Sequence, residues 1–387
     1  MKTVPEINNQ SEVKVSDLLT PIHDSRIYEV LEHRWKTLVE QQLFVAVSML
    51  KWNCFDHEEL FSAVDSYWHL STEVRLNLAR EPLFSYAVNR LLHFASNKEL
   101  LGDSRSWCYI ESIIEIFNVE IEFFFCYQNT SSVQSTLEYD LAQQKKIKIQ
   151  KEKQRSKLES LALDLPHASF RFGEGDYYRE IGEHFLEKYS NKNSALSTRS
   201  AFSDLHCPNL NNRLYQSLNL ILMHLPDWYF DLQFFTKVIV PIETPYATGF
   251  SVDICRGLIF ITVENNILDT VDHLIHETAH NKLDMINDFY SILEPTQGST
   301  FISPWREDLR PMEGILHGAY VFTCVSHAFV DLQNSINDSN GFLKNRINSY
   351  YHQVSEALAT IDRYAKLTNV GKEFVDALHK WHKAIPV

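Results

Sequence analysis

Residues 276–280 read His-Glu-Thr-Ala-His, inside a run whose apolar residues Leu268, Val271, Leu274, Ile275, Leu283 and Ile286 recur at helical spacing. No other feature constrains the chain as much, because it predicts one amphipathic helix with both imidazoles on a single face. Asn265 or Asn266 is placed to cap its N-terminus. A helix turns about 100° per residue, so His276 and His280 project together with Cβ atoms about 5–6 Å apart, where two imidazoles can share one metal ion. His273 falls on nearly the same face and reads as a core histidine satisfied by a hydrogen bond.

The rest of the chain supplies a helical setting. In residues 25–130 apolar positions such as Ile27, Leu31, Trp35 and Leu38, then Leu83, Tyr86, Ala87 and Leu91, follow the helical period with little turn punctuation. No fixed-period repeat is present, which argues against a solenoid scaffold. After Pro208 a helix is expected to His224, where Pro226 stops it. Residues 234–240 and 257–263 then read as two neighbouring strands rich in aromatic and β-branched residues. The expected fold is mainly α with a small β-sheet, an α+β arrangement in which the HExxH-bearing helix packs beside a later His-bearing helix. A helical N-terminal region at 1–140, a connector at 141–200 and a metal-binding catalytic domain at 201–387 are expected.

Composition removes several classes of function. The 387 residues carry a net charge of −14, a poor match to nucleic acid unless positive charge is gathered locally. It is gathered once, in KKIKIQKEKQRSK at 145–157, which reads as a solvated helix face or as a dock for an acidic peptide segment, centred on Lys148, Lys151 and Lys153. No run of about 18 apolar residues occurs, and Glu6 and Glu12 interrupt the start of the chain. Neither a membrane span nor a secretory signal is therefore expected, and the expected location is cytoplasmic. Cys54, Cys108, Cys126, Cys207, Cys255 and Cys324 lie singly and far apart, which fits neither a disulfide framework nor paired metal-binding thiols.

What completes the ligand set decides the chemistry. An extended zinc motif with a third histidine needs glycine at 283 and histidine at 286, positions held by Leu283 and Ile286. Glu294, Glu307 and Glu313 could supply a carboxylate of the peptidase kind, with Glu277 as general base on a metal-bound water. His317 is the other candidate, on a helix expected to begin at Pro311. Gly314 and Gly318 flank it at a spacing that would let the HETAH helix come close, and Glu313, one turn earlier, is the alternative ligand. Arg306 and Arg310 are spaced to reach one cavity. A guanidinium fork matches a carboxylate with two parallel bonds, so a small dicarboxylate is a natural guest; the alternative is surface pairing with Glu307 and Asp308.

In LIHETAHNKL at 274–283, TGFSVDICRGLIFITV at 248–263, SPWREDLRP at 303–311 and GILHGAY at 314–320, the chain resembles the 2-oxoglutarate-dependent H-E-x-x-H peptide β-hydroxylases of RiPP biosynthesis, which modify ribosomally made peptides. The resemblance covers roughly the C-terminal half. It implies a dioxygenase that hydroxylates a residue of a precursor peptide, with iron(II) bound by His276, His280 and His317 and O₂ as oxidant. It also implies that Arg306 or Arg310 holds the 2-oxoglutarate co-substrate; an oxidative site requires no general base, and Glu277 there reads as a partner that supports the ligands. Three protein ligands leave three of six octahedral positions, two for the keto acid and one for O₂, whereas tetrahedral zinc leaves one. On the residues alone, a zinc metallopeptidase acting through Glu277 and a helical interaction protein with a structural metal both stay open.

Overall fold

The computed structural model describes residues 13–53, 55, 57–97, 110–118, 120–121, 171–172, 178, 181–182, 185, 208–242, 247–295 and 298–387. The basic run at 145–157, and nearly all of the expected connector, lie outside these residues.

Asp24 accepts a hydrogen bond from the Arg26 backbone N–H at 3.0 Å and so starts α1 (Ser25–Trp52). Its buried Leu31, Trp35, Val39, Leu43, Ala46 and Leu50 fall three or four residues apart and form one stripe. That stripe packs on α3 (Thr72–Ala79) and α4 (Pro82–Ser96), which follow α2 (Glu58–Trp68). The Trp35 indole donates to the Ala79 carbonyl at 2.6 Å, so the largest side chain of the stripe also ties down the end of α3. The buried apolar residues of this half join those of the other in one cluster running from Val13 to Ile385.

In the C-terminal half, α5 (Pro208–His224) and α6 (Pro226–Phe235) lead into a sheet of order β1-β2-β4-β3. Here β1 is Arg171–Phe172, β2 Val238–Ile242, β3 Gly249–Ser251 and β4 Leu258–Thr262. β2 and β4 run parallel from Val238 opposite Leu258 to Ile242 opposite Thr262, and β3 pairs antiparallel with β4. All five residues of β2 are buried, the continuous apolar run that a parallel strand covered on both faces requires. Against β3 and β4 lies α7 (Ile267–Phe289), capped by the Asn266 side chain, which accepts from the Leu268 N–H at 3.2 Å. A hairpin, β5 (Thr300–Ser303) and β6 (Arg306–Pro311), then leads directly into α8 (Met312–Ser335), followed by α9 (Phe342–Tyr364) and α10 (Asn369–Lys383).

The mainly α fold with a small sheet is present, and the HETAH helix α7 packs beside α8, which carries His317. Two local expectations are corrected, and one strand is added. Phe234 and Phe235 end α6 rather than begin a strand. Pro226 opens a new helix at its first turn, and Trp228, Tyr229, Leu232 and Phe235 bury themselves at helical spacing, so the aromatic run belongs to a helix face. Pro311 ends β6 and caps α8 rather than standing as its first helical residue. The stretch carrying Arg306 and Arg310 is a strand, which the sequence signal concealed because four of its six residues in a row are exposed and charged or isolated. Among the described residues α8 is the one helix long and apolar enough to cross a membrane by composition, and 67% of the qualifying stretch is buried within the fold.

Candidate functional site

Two helices bring the three histidines into one row, with contacts between His276 and His280 and between His280 and His317. Burial of Val271, Leu274 and Ile275 against the sheet and of Leu283 and Ile286 further along fixes how α7 is rotated, and this turns His276 and His280 toward α8. Their ring centroids are 5.0 Å apart with planes at 66°. From α8 comes His317, whose ring lies 5.4 Å from that of His280 with planes at 23°, and the two Nδ1 atoms face each other at 3.2 Å. His280 is thus the middle member of the cluster, and Phe322, one turn beyond Gly318, closes the far side of His276 with its ring 4.8 Å away.

Burial sets the protonation. His276 is pushed down to about 3 by burial and then by His273. His280 is held well below the ordinary imidazole value by burial, by its two histidine neighbours and by the charge of Arg310. His317 is also lowered by burial, partly offset by Asp284. At neutral pH all three are uncharged imidazoles with a free lone pair, the form in which histidine binds a metal. The Nε2 of His317 lies 3.6 Å from Asp284 Oδ1, so a proton on Nε2 facing the carboxylate leaves Nδ1 open toward His280. Asp284 is itself held by Arg256 at 3.0 Å, and Arg256 reaches Asp288 at 3.0 Å as well.

These nitrogens bear on the fit of a metal. Two imidazole nitrogens bound to one ion at about 2.1 Å stand about 2.9–3.4 Å apart, which brackets the His280–His317 separation. The Asp284 carboxylate stands behind His317 at 3.6 Å, beyond hydrogen-bond distance but on the side from which carboxylates orient metal-bound histidines. Among the described residues no set of three or more His, Cys, Asp or Glu side chains already has its donors gathered for an ion. The donor chemistry and the facing pair fit a metal held by His280 and His317, with His276 the adjacent third ring.

Glu277 points elsewhere. It is 3% exposed, and its carboxyl lies over Gly249 of β3, close enough that a Cβ at that position would sit 2.8 Å from Oε1. Burial pushes it up to about 8, opposed by a hydrogen bond with Ser251 and reinforced by Asp272, and Oε2 has no partner. His273 bonds the Thr262 carbonyl at 3.0 Å, satisfied as expected but half-buried rather than in the core. Glu313 is exposed at the start of α8, and Glu307 is exposed on β6.

Arg306, Asp308 and Arg310 alternate along β6 and so share one face of the strand. Asp308 accepts from both arginines, at 2.8 Å from Arg306 and 3.2 Å from Arg310. Of the two arginines, Arg310 is the one whose charge acts on His280, and its side chain lies against Gly314. The two glycines of α8 therefore admit the hairpin, not the HETAH helix. At Gly318 the neighbour is the ring of Trp305, which any Cβ would overlap, and that ring stacks on Phe322 with centroids 4.8 Å apart.

Asp284, Arg256, Trp305 and Phe322 were not among the residues read from sequence. Asp284 alone left a local trace, since it continues the row of His276 and His280 at the next step of four. Compared with known proteins, the chain matches no family model and no characterised protein at a significant level.

Proposed function

We propose that this chain is an iron(II)- and 2-oxoglutarate-dependent dioxygenase that hydroxylates the β-carbon of a residue in a ribosomally made precursor peptide, acting in the cytoplasm. The observation that carries this reading is the meeting of neutral His280 and His317 through nitrogens 3.2 Å apart, with His276 one turn upstream on the same helix. Iron(II) bound by these three imidazoles supplies O₂ activation coupled to oxidative decarboxylation of the keto acid.

The chain's own residues do the rest. Asp284 orients His317 through Nε2, and the Arg256 that grips Asp284 keeps that carboxylate from swinging away. Arg310 is the guanidinium that bears on His280, so it is the one assigned to the far carboxylate of 2-oxoglutarate, with Arg306 holding their shared partner Asp308. Phe322 and Trp305 form an aromatic wall that keeps water from the His276 side. The contacts of Glu277 are with Ser251 and Gly249 of β3, which supports a supporting role for it rather than that of a general base, as the zinc peptidase reading requires.

The test is succinate formation by anaerobically purified protein given iron(II), ascorbate, 2-oxoglutarate and a candidate peptide. Succinate above that of a His276→Ala control is expected, and its absence would remove the oxygenase reading. Arg310→Lys is expected to raise KM for 2-oxoglutarate about tenfold or more, because a point charge replaces a two-bond fork, while Arg306→Lys changes it little.

A further inference from the structure

The turn of the hairpin and helix α9 leave two buried polar atoms without partners beside the histidines. Trp305 is the second residue of the turn between β5 and β6. Its ring lies against Gly318 and stacks on Phe322 at 12°, and its backbone N–H donates to Ser303 Oγ at 3.3 Å. Its indole N–H is nevertheless buried with no acceptor. On α9, Gln353 donates its Nε2–H to the carbonyl of Pro304, the residue before Trp305, at 3.3 Å. That bond fixes which end of the carboxamide meets the turn and leaves Oε1 as a buried acceptor with no donor.

Buried side-chain polar atoms in folded proteins are nearly all paired, so two orphans at one turn mark an unmet hydrogen-bonding demand. The demand is for one acceptor and one donor. An amide meets it, its carbonyl accepting from the indole and its N–H donating to Gln353 Oε1. A carboxylate does not, because it offers Gln353 only a second acceptor. The location is adjacent to the candidate centre: Phe322 touches both the indole and the His276 ring, and Gly318, on which the indole rests, follows His317.

We propose that Trp305 and Gln353 form a two-point amide-binding site beside the three histidines, which grips a carboxamide or peptide amide of the substrate. This rests on the reading that the substrate is a peptide and specifies how it is held. Because both atoms are buried, the amide enters as the 304–305 turn lifts from α8.

The test follows the Trp305 indole N–H by NMR in full-length ¹⁵N-labelled protein without metal, the resonance being assigned by its loss in Trp305→Phe or Trp305→Tyr. Acetamide is titrated as the primary amide of Asn and Gln side chains, and N-methylacetamide as the secondary amide of a backbone. A saturable downfield shift with either is expected, weakened about tenfold in Gln353→Met. Response to acetamide alone assigns a side-chain carboxamide, and response to N-methylacetamide alone assigns the backbone. No shift with either, or a shift indifferent to Gln353→Met, overturns the proposal. So does an indole resonance already far downfield in the free protein that moves upfield in Gln353→Met, because Trp305 then bonds Gln353 directly. No metal enters this titration, so amide binding without succinate formation removes the oxygenase reading alone, and succinate without amide binding removes the amide site alone.

Discussion

Glu277 concentrates the conflict between burial and charge at the residue scale. Its carboxyl is raised from 4.5 to about 8, so the folded state holds a proton that the unfolded chain releases near 4.5. The contribution to stability is full below pH about 4.5, falls by at most about 1.4 kcal/mol per pH unit between there and 8, and is gone above 8. Glu277→Gln removes the linkage while keeping the shape. Its melting temperature is expected to match that of the unmodified protein near pH 5 and to exceed it near pH 8. Parallel curves across that range would mean the carboxyl is not held protonated. The same variant separates the two chemistries, since a peptidase would be abolished and the oxygenase keeps substantial turnover. The position of Glu277 in the motif was legible; its turn toward β3 was not, because the strand that receives it approaches only in the folded chain.

At the scale of elements, the hairpin meets α8 through glycine. Gly318→Ala drives a methyl group into the Trp305 ring and is expected to destabilise by about 1–3 kcal/mol in urea unfolding. Trp305→Ala in that background should recover part of the loss, and additive losses would show that the two residues are not in contact. Gly314→Ala is expected to be milder, since its neighbour is the flexible Arg310 side chain at 3.3 Å. The spacing of the glycines announced a close approach on that face of α8. It could not say what approaches, because β6 lacks the alternation of apolar and polar residues that reveals a half-buried strand.

Across the whole molecule, the N-terminal segment is fastened to the helix that bears the histidines. Lys282 of α7, 3% exposed, donates to Asp231 Oδ2 at 2.5 Å and to the Thr20 carbonyl at 2.7 Å. Asp231 accepts in turn from the Ile22 N–H at 3.1 Å and the Tyr28 hydroxyl at 2.7 Å, and Tyr320 of α8 donates to the Leu19 carbonyl. Removing one partner leaves the other charge buried, so Lys282→Met is expected to cost about 3–5 kcal/mol in chemical unfolding. Lys282→Met combined with Asp231→Asn should cost less than Lys282→Met alone, because the amide oxygen still accepts from Ile22 and Tyr28 while the buried charge is gone. If the single variant unfolds at the same denaturant concentration as the parent, the buried pair does not anchor the segment. A helical region at 1–140 was readable from periodicity, but nothing in the local pattern told that residues 13–28 bond to α6, α7 and α8.

What the amino-acid order determined by itself was local: a mainly helical chain, a capped amphipathic helix from Asn266, and two histidines on one of its faces. Each follows from spacings of three or four residues, which backbone geometry converts directly into a shared face. Tertiary structure alone decided that His317 meets His280, that the charge of Arg310 rather than Arg306 acts on His280, and that Asp284, Trp305 and Phe322 complete the surroundings. Those outcomes depend on how α7, α8 and the hairpin rotate against one another, and burial of the apolar faces sets that rotation only when all of them pack at once.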